Sequence, residues 1–213
     1  MGKSLLVFVA LVAMYSCGQK ENKRTAPLAR KANITLKGNT IETNALKQLS
    51  DYGFFKGQLA ELNPSEHVYP YAINTPLFSD YAQKARFIYL PNGKQMDFNP
   101  NGPLDFEDGA ILIKNFYYPK DERNPVAGRR IIETRLLMKG KGVWNPLNYL
   151  WNEAQTEANL DYVGKSVAVN WINPDGVTKK IDYVVPNQNQ CKNCHNANNK
   201  IVPIALTAAQ LNQ

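Results

Sequence analysis

The sequence predicts a mainly antiparallel β domain followed by a partial α-helical segment. Short apolar runs of strand length, separated by turn sequences, follow one another between residues 67 and 186. The run SVAVNWI at 166–172 alternates polar and apolar side chains, which is typical of a strand with one buried face. After residue 190 the pattern of apolar runs of strand length ends, and ALTAAQL at 205–211 favours a helix. The 213 residues, of which 44% are hydrophobic, are enough for one ordinary core.

The N-terminal residues carry the pattern of an export signal. Lys3 is followed by an apolar run at residues 5–13, which is too short to cross a bilayer, since crossing requires about 20 apolar residues. The run leads into MYSC, where Ser16 precedes Cys17, and this resembles the lipobox of bacterial lipoproteins. We therefore expect residues 1–17 to be a lipoprotein signal peptide, with cleavage before an acylated Cys17. The alternative is an ordinary signal peptide cleaved nearby, which would leave a free thiol.

Two elements are predicted between the signal and the strands. Residues 18–42 are mostly polar and weakly basic, so we expect a flexible tether. A helix is predicted at 43–51, where two leucines have helical spacing, and Gly53 is its stop signal. Residues 43–186 as a whole are assigned to the mostly β domain.

The β domain contains two predicted hairpins. In the first, residues 85–90 form a strand and residues 95–98 form a short return strand. PNG at 91–93 is the turn between them, because Asn and Gly tolerate the positive φ of such turns. NPDG at 173–176 is a second turn sequence, joining two strands into another hairpin. A short helical turn is expected at 153–158. The further predicted strands are 110–118, 130–138, 147–151, 166–172 and 177–185.

The charge pattern and the cysteine count exclude several classes of protein. The formal net charge is +7, yet the nearest approach to a basic block is KENKR at 20–24, inside the expected tether. Nucleic-acid binding needs a basic stripe with interleaved aromatic residues on a folded face, so we expect no nucleic-acid partner. Three cysteines do not fit a disulfide scaffold. The positive charge would instead steer an acidic protein partner.

The densest group of chemically reactive side chains is QCKNCHNA at 190–197, which contains the pattern Cys-x-x-Cys-His. This pattern is typical of covalent c-type haem attachment. Two intervening residues bring the thiols of Cys191 and Cys194 to one edge of the macrocycle, where they add to its vinyl groups. The adjacent His195 then supplies an axial nitrogen to the iron. We therefore expect haem c at this motif, in a cytochrome c-like attachment segment formed by residues 187–213.

Three other uses of the motif are open but fit less well. A structural zinc site needs four ligands, whereas the motif supplies three at most, and His67 is the only other histidine. A thioredoxin-type redox pair lies at a helix N-terminus in a βαβ unit, which the β-rich sequence before Cys191 does not provide. The third use is a plain structural disulfide. The histidine makes haem attachment the most specific of these interpretations.

The sequence does not single out a second axial ligand for the iron. His67, Met96 and Met138 are candidates, but each is explained more simply as a core or surface residue. The residues after His195 contain no Met, His or Cys. We therefore expect a truncated haem module; the alternatives are a five-coordinate iron or one of His67, Met96 and Met138 as the second ligand. Pro203 has two interpretations. Its carbonyl could orient the ring of His195, or it could be an ordinary proline in a loop.

Five segments agree in order and spacing with one known family. They are NTPLFSDYAQKARFIYLP (74–91), GAILIKNFYYP (109–119), GRRIIETRLL (128–137), YLWNEAQTEA (149–158) and VPNQNQCKNCH (185–195). They resemble exported bacterial di-haem c-type cytochromes of largely unknown role, over about residues 50–213. The resemblance implies thioether bonds at Cys191 and Cys194 and an axial ligand at His195. Only one Cys-x-x-Cys-His is present, so a second haem has no support, and this again favours a truncated product.

Together these patterns predict an exported electron carrier. Its haem would exchange electrons with an exported redox partner. The lipid on Cys17 would anchor it to a bacterial membrane, in the periplasm or at the outer-membrane surface. One alternative is a haem-containing subunit of a periplasmic oxidoreductase or a peroxidase-like enzyme, so enzyme activity is left open, although a carrier is favoured. The other alternative is a surface-anchored β binding module.

Overall fold

The computed structural model describes residues 45–100, 102–204 and 206–211. The expected signal peptide with Cys17 and the expected tether at 18–42 lie outside these ranges. The regular structure consists mostly of antiparallel strands, which confirms the predicted fold class at that level. Within the described ranges, no helix combines the length and the apolar character needed to cross a membrane.

Short turns connect most of the strands. In chain order the strands are β1 (Phe55–Lys56), β2 (Asn63–Pro64), β3 (Val68–Tyr71), β4 (Gln83–Tyr89), β5 (Met96–Asp97), β6 (Asp105–Phe106), β7 (Ile111–Pro119), β8 (Arg129–Gly140), β9 (Val143–Trp151), β10 (Ala158–Asp161), β11 (Lys165–Ile172), β12 (Thr178–Val185), β13 (Asn196–Ala197) and β14 (Lys200–Ile201). The helices are α1 (Gln188–Cys194) and α2 (Ala208–Leu211), with 3-10 turns at Leu49–Tyr52, Leu59–Glu61 and Pro125–Ala127.

A six-stranded antiparallel sheet is the framework, in the order β10-β9-β8-β7-β4-β3. Strands β7 to β10 form a meander, so neighbours in the sheet are also neighbours in the chain. The predicted return strand at 95–98 exists as β5, but it does not return onto β4: Met96 pairs with Phe106 of β6. Strand β4 instead pairs with β7 over its whole length, from Gln83 to Tyr89. Strand β7 is longer and more apolar than β5.

Two predicted helical elements are wrong. Of the helix expected at 43–51, the described part forms the 3-10 turn Leu49–Tyr52, although Gly53 ends it in the left-handed conformation, with φ 66°, as the stop signal predicts. Residues 153–158 form a loop that leads into β10. The side chain of Asn152 accepts backbone N–H groups of that loop at 2.9 and 3.4 Å, and these bonds replace those of a helix.

The first face of the sheet carries the larger apolar core. Tyr52 and the other residues preceding β1 cover it, and the hydroxyl groups of Tyr52 and Tyr149 are 2.8 Å apart. Each large apolar side chain buried here contributes about 1.5–3 kcal/mol, so this face anchors the sheet. One row across four adjacent strands consists of Phe87, Ile113, Leu136 and Leu147.

The second face carries two separate apolar clusters. The hairpin β11–β12 covers one end, where Trp171 and Tyr183 pack against Phe116 and Tyr118. Residues near the C-terminus cover the other end, where the buried Leu206 belongs to a cluster formed on the sheet by Ile88, Leu112, Leu137 and Trp144. Both ends of the second face are thus covered, and polar residues lie in the region between them.

The C-terminal residues 187–213 do not establish the expected α-helical cytochrome-like segment. Their described part contains the seven-residue α1, the ribbon β13–β14 and the four-residue α2. Leu206 is 1% exposed, and its backbone oxygen accepts a hydrogen bond from the N–H of Leu104 at 2.8 Å. The segment is thus packed along the second face of the sheet instead of forming a separate helical bundle.

Candidate cofactor site

The two cysteines of the motif lie on one short helix. In α1, the side chain of Asn187 accepts the backbone N–H of Gln190 at 3.0 Å, and the side chain of Gln190 accepts the N–H of Asn187 at 2.9 Å. This reciprocal pair is a capping box, which fixes where the helix begins. No separate helix is predicted at 188–194 from the sequence, although Asn187 followed by Gln three residues later is a capping signal that indicates one.

Helix α1 packs against β9. The side chain of Asn148 on β9 donates to the carbonyl of Pro186 at 3.4 Å, and Gln188 donates to the carbonyl of Pro146 at 3.3 Å. The backbone N–H of Gln188 also donates to the carbonyl of Tyr162 at 3.3 Å. These bonds hold helix α1, and with it the Cys-x-x-Cys-His motif, against strand β9 of the sheet.

The two thiols have different environments. Cys191 is 8% exposed, Cys194 is exposed, and both are free thiols. Their spacing of three residues places them on the same side of a helical turn. Burial raises the pKa of Cys191, and the nearby positive charge of Arg135 only partly opposes this. A nucleophilic thiol of the thioredoxin type needs a lowered pKa, so the environment of Cys191 argues against that alternative.

The ring of His195 is oriented by the backbone. The ribbon β13–β14 folds the chain back, so that Nδ1 of His195 lies 2.9 Å from the carbonyl oxygen of Val202, and the N–H of Val202 donates to the carbonyl of His195 at 2.8 Å. A carbonyl can only accept, so Nδ1 carries the proton and Nε2 presents a lone pair. The carbonyl that was expected from Pro203 thus comes from the preceding residue.

The remaining nitrogen of His195 is suited to bind a metal. Among the described residues, Nε2 has no hydrogen-bond or ion-pair partner. The pKa of His195 is lowered, first by burial and then by the positive charges of Lys114 and Arg135, while the bond to Val202 acts in the opposite sense. A neutral imidazole whose other N–H is fixed by a carbonyl is the usual arrangement of a metal-ligating histidine.

Positively charged residues follow one another across the second face. The strand register aligns Arg86 of β4, Lys114 of β7 and Arg135 of β8, and Asn148 of β9 continues the line. We call Arg86, Lys114 and Arg135 the cationic row. Its charges reach the motif, since Lys114 and Arg135 act on His195 and Arg135 acts on Cys191.

One buried carboxylate balances part of this charge. Glu133 is 0% exposed, and its Oε1 accepts hydrogen bonds from the guanidinium of Arg135 and, at 2.6 Å, from the hydroxyl of Tyr183. Burial and the charge of Glu133 raise the pKa of Tyr183 far above its ordinary value. Three buried atoms nearby have no hydrogen-bond partner among the described residues: Oε2 of Glu133, Nε of Arg135 and Oδ1 of Asn148.

The candidates for a second axial ligand do not gather at His195. Met138 is buried in the core of the first face, on the other side of the sheet from the cationic row. His67 precedes β3, an edge strand that is separated from β9 by β8, β7 and β4, and its Nε2 lies 3.5 Å from Glu66. Met96 is 41% exposed on the β5–β6 ribbon. No group of three His, Cys, Asp or Glu side chains that could hold a bare metal ion occurs within the described ranges.

Comparisons with known proteins do not extend this assignment. No protein-family model, no curated protein and no solved structure matches the chain. The resemblance to di-haem cytochromes therefore stays a prediction from the sequence segments. The geometry adds residues that the sequence analysis missed, above all Lys114, whose position within the otherwise mostly apolar run AILIKNFYY was the available signal.

Proposed function

We propose that this chain is an exported c-type cytochrome that transfers electrons to or from an exported redox partner. Cys191 and Cys194 would hold haem c by thioether bonds, and Nε2 of His195 would be the axial ligand of its iron. The observation that carries this proposal is the imidazole of His195, which follows two free thiols on one helical turn and is fixed through Nδ1 by the carbonyl of Val202. A bound haem supplies one-electron chemistry through its iron.

The residues of this chain have separate tasks in such a site. The β13–β14 ribbon orients the imidazole and holds its proton at Nδ1, so that Nε2 is kept free for the metal. The contacts of α1 with β9 hold the attachment points against the sheet. The apolar clusters at both ends of the second face would limit the access of water to a bound haem, and a drier environment would strengthen the electrostatic effect of nearby charges on it.

The anchor completes the proposed function. A lipid on Cys17 would keep the carrier at a bacterial membrane, where haem attachment and the redox partner are both available outside the cytoplasm. This part rests on the sequence of residues 1–17.

Covalent haem can be tested directly. The exported full-length chain, expressed with and without a c-type haem-attachment system, would be measured by intact mass and by a pyridine haemochrome spectrum. We expect one haem per chain only with the attachment system, and none in Cys191→Ala/Cys194→Ala. Cys17→Ser is the matched control, because it removes a thiol outside the motif and should keep the haem. A colourless wild-type protein with no added haem mass would refute the proposal.

A further inference from the structure

Two side chains of the cationic row have no partner among the described residues. Arg135 is paired with Glu133, and its guanidinium also lies 3.4 Å from the hydroxyl of Tyr183. The side chains of Arg86 and Lys114, in contrast, have no hydrogen bond or ion pair with any described residue. The ammonium group of Lys114 lies 5.6 Å from the ring centroid of Phe116, a contact that cannot neutralise its charge. The row thus presents two unpaired positive charges.

Burial makes this arrangement unfavourable without an anion. The pKa of Lys114 is lowered to about 8, first because burial disfavours its charged form and then because Arg135, Arg86 and Lys84 repel it. Burial lowers the pKa of Arg86 as well. Glu133 is the carboxylate that acts on Lys114, and it is already paired with Arg135. Half-buried like charges of this kind are stabilised when an anionic group lies between them.

The unpaired buried atoms give an independent indication of a missing ligand. Nε of Arg135 is a buried donor without an acceptor among the described residues, and it lies beside Asn148, whose Oδ1 is buried and unpaired too. Buried polar atoms in native proteins are almost always hydrogen-bonded. Asn148 lies on β9, which α1 contacts, and Arg135 lies on the neighbouring strand β8, where its charge acts on Cys191. The incomplete part of the polar network is therefore close to the attachment motif.

We propose that the cationic row binds the two propionate groups of the haem, with Arg86 and Lys114 as the residues that pair with them. This inference rests on the proposed function. Haem carries its propionates on the side of the macrocycle opposite the thioethers. Neighbouring strands lie about 4.8 Å apart, so the line from β9, where α1 lies, to β4 spans about 14 Å, comparable with the width of a porphyrin. Two carboxylates then meet two unpaired cations.

The test uses purified haem-loaded protein with Arg86→Gln, Lys114→Gln and the charge-keeping variant Arg86→Lys. Lys180→Gln is the matched control, because it removes one positive charge from an exposed position on β12. Haem content is measured by the haemochrome spectrum, the propionate bending band by resonance Raman spectroscopy and the midpoint potential by redox titration. We expect full haem content throughout. The Raman band should shift and the potential should fall in both Gln variants of the row, because lost positive charge favours ferric iron.

The outcomes separate this inference from the proposed function. Direct pairing would be supported if Lys180→Gln keeps the Raman band and the midpoint potential of the wild type. In Arg86→Lys, both quantities should lie between those of the wild type and those of Arg86→Gln. An unmoved band in Arg86→Gln and Lys114→Gln at full haem content would overturn the propionate site and leave the cytochrome intact, even if the potential falls. Absence of covalent haem from the wild type would overturn both.

Discussion

At the scale of single residues, the buried ion pair of Glu133 is the most consequential polar contact of the second face. Its carboxylate is fully buried, and it holds both Arg135 and Tyr183. The sequence places Glu133 and Arg135 within a predicted strand, but it could not show the pairing of Glu133 with Tyr183. That contact depends on the hairpin β11–β12 folding over a strand 50 residues earlier in the chain.

Glu133→Gln should lower the free energy of unfolding by about 2–4 kcal/mol, because it leaves Arg135 without its counter-charge in a partly buried position. Glu153→Gln is the matched control, since Glu153 pairs with Arg130 while its side chain is 84% exposed. Loss of that exposed pair should cost less than about 1 kcal/mol. Urea unfolding followed by circular dichroism measures both variants, and similar losses in the two would contradict this account.

The orientation of His195 shows which part of a residue-level prediction the structure changes, while its role as an axial ligand stays a prediction. Cys-x-x-Cys-His alone was enough to propose an axial imidazole, because the motif itself encodes the chemistry. The carbonyl of Pro203 is the predicted orienting group, whereas the structure has the carbonyl of Val202 in that place. The difference arises from the tight ribbon β13–β14, whose turn residues Asn198 and Asn199 have φ 51° and 60°. Two adjacent asparagines tolerate this geometry, so the pair Asn198–Asn199 is the signal in the sequence that indicates the turn.

At the scale of elements, long apolar strands were predictable and short elements were not. The strands predicted at 110–118 and 130–138 agree closely with β7 and β8, because each buries side chains on both faces and so has a long apolar run. Helix α1 was missed, since its seven residues are polar apart from the cysteines and it is held by capping and by β9. Tertiary contacts rather than its own periodicity determine such an element.

The junction between the hairpin β11–β12 and α1 requires a glycine. Gly164 has φ +81°, and a Cβ there would lie 2.6 Å from the carbonyl oxygen of Val185 and 2.9 Å from the nitrogen of Asn187. Gly164→Ala should therefore cost about 3 kcal/mol, from left-handed backbone strain and overpacking together. It should also lower the fraction of chains that carry haem, because the backbone it displaces is the start of α1.

Gly142→Ala is the matched control for this junction. Gly142 has φ +75° but no atom within 4 Å of an added Cβ, so only the backbone strain of about 1 kcal/mol applies. Urea unfolding and the haemochrome spectrum measure both variants. Equal destabilisation by the two substitutions would show that close packing at Gly164 is not what holds α1.

At the scale of the whole molecule, the sheet brings together what the sequence lists separately. The cationic row draws its members from β4, β7 and β8, and the attachment motif reaches it only because α1 packs on β9. The sequence could predict the antiparallel class and the motif, but not the row, because alignment across strands depends on a register that includes an irregularity beside Phe116. Fold class was thus more predictable than site composition.

The proposed anchor makes a prediction for the whole chain. In cells that process bacterial lipoproteins, the wild-type protein should partition into the detergent-rich phase of a Triton X-114 extraction, and Cys17→Ser should move to the aqueous phase. Cys194→Ser is the control, since it removes a thiol of the haem motif and should leave partitioning unchanged. Wild-type protein in the aqueous phase, or a Cys17→Ser variant that stays in the detergent, would contradict lipid attachment at this residue.

The burial of Cys191 sets an order for maturation. An attachment enzyme must reach both sulfurs and the edge of the porphyrin, and in the folded protein one of those sulfurs is shielded by the surrounding chain. If haem is attached as proposed, its ligation would precede the final closure of residues 187–211 onto the sheet.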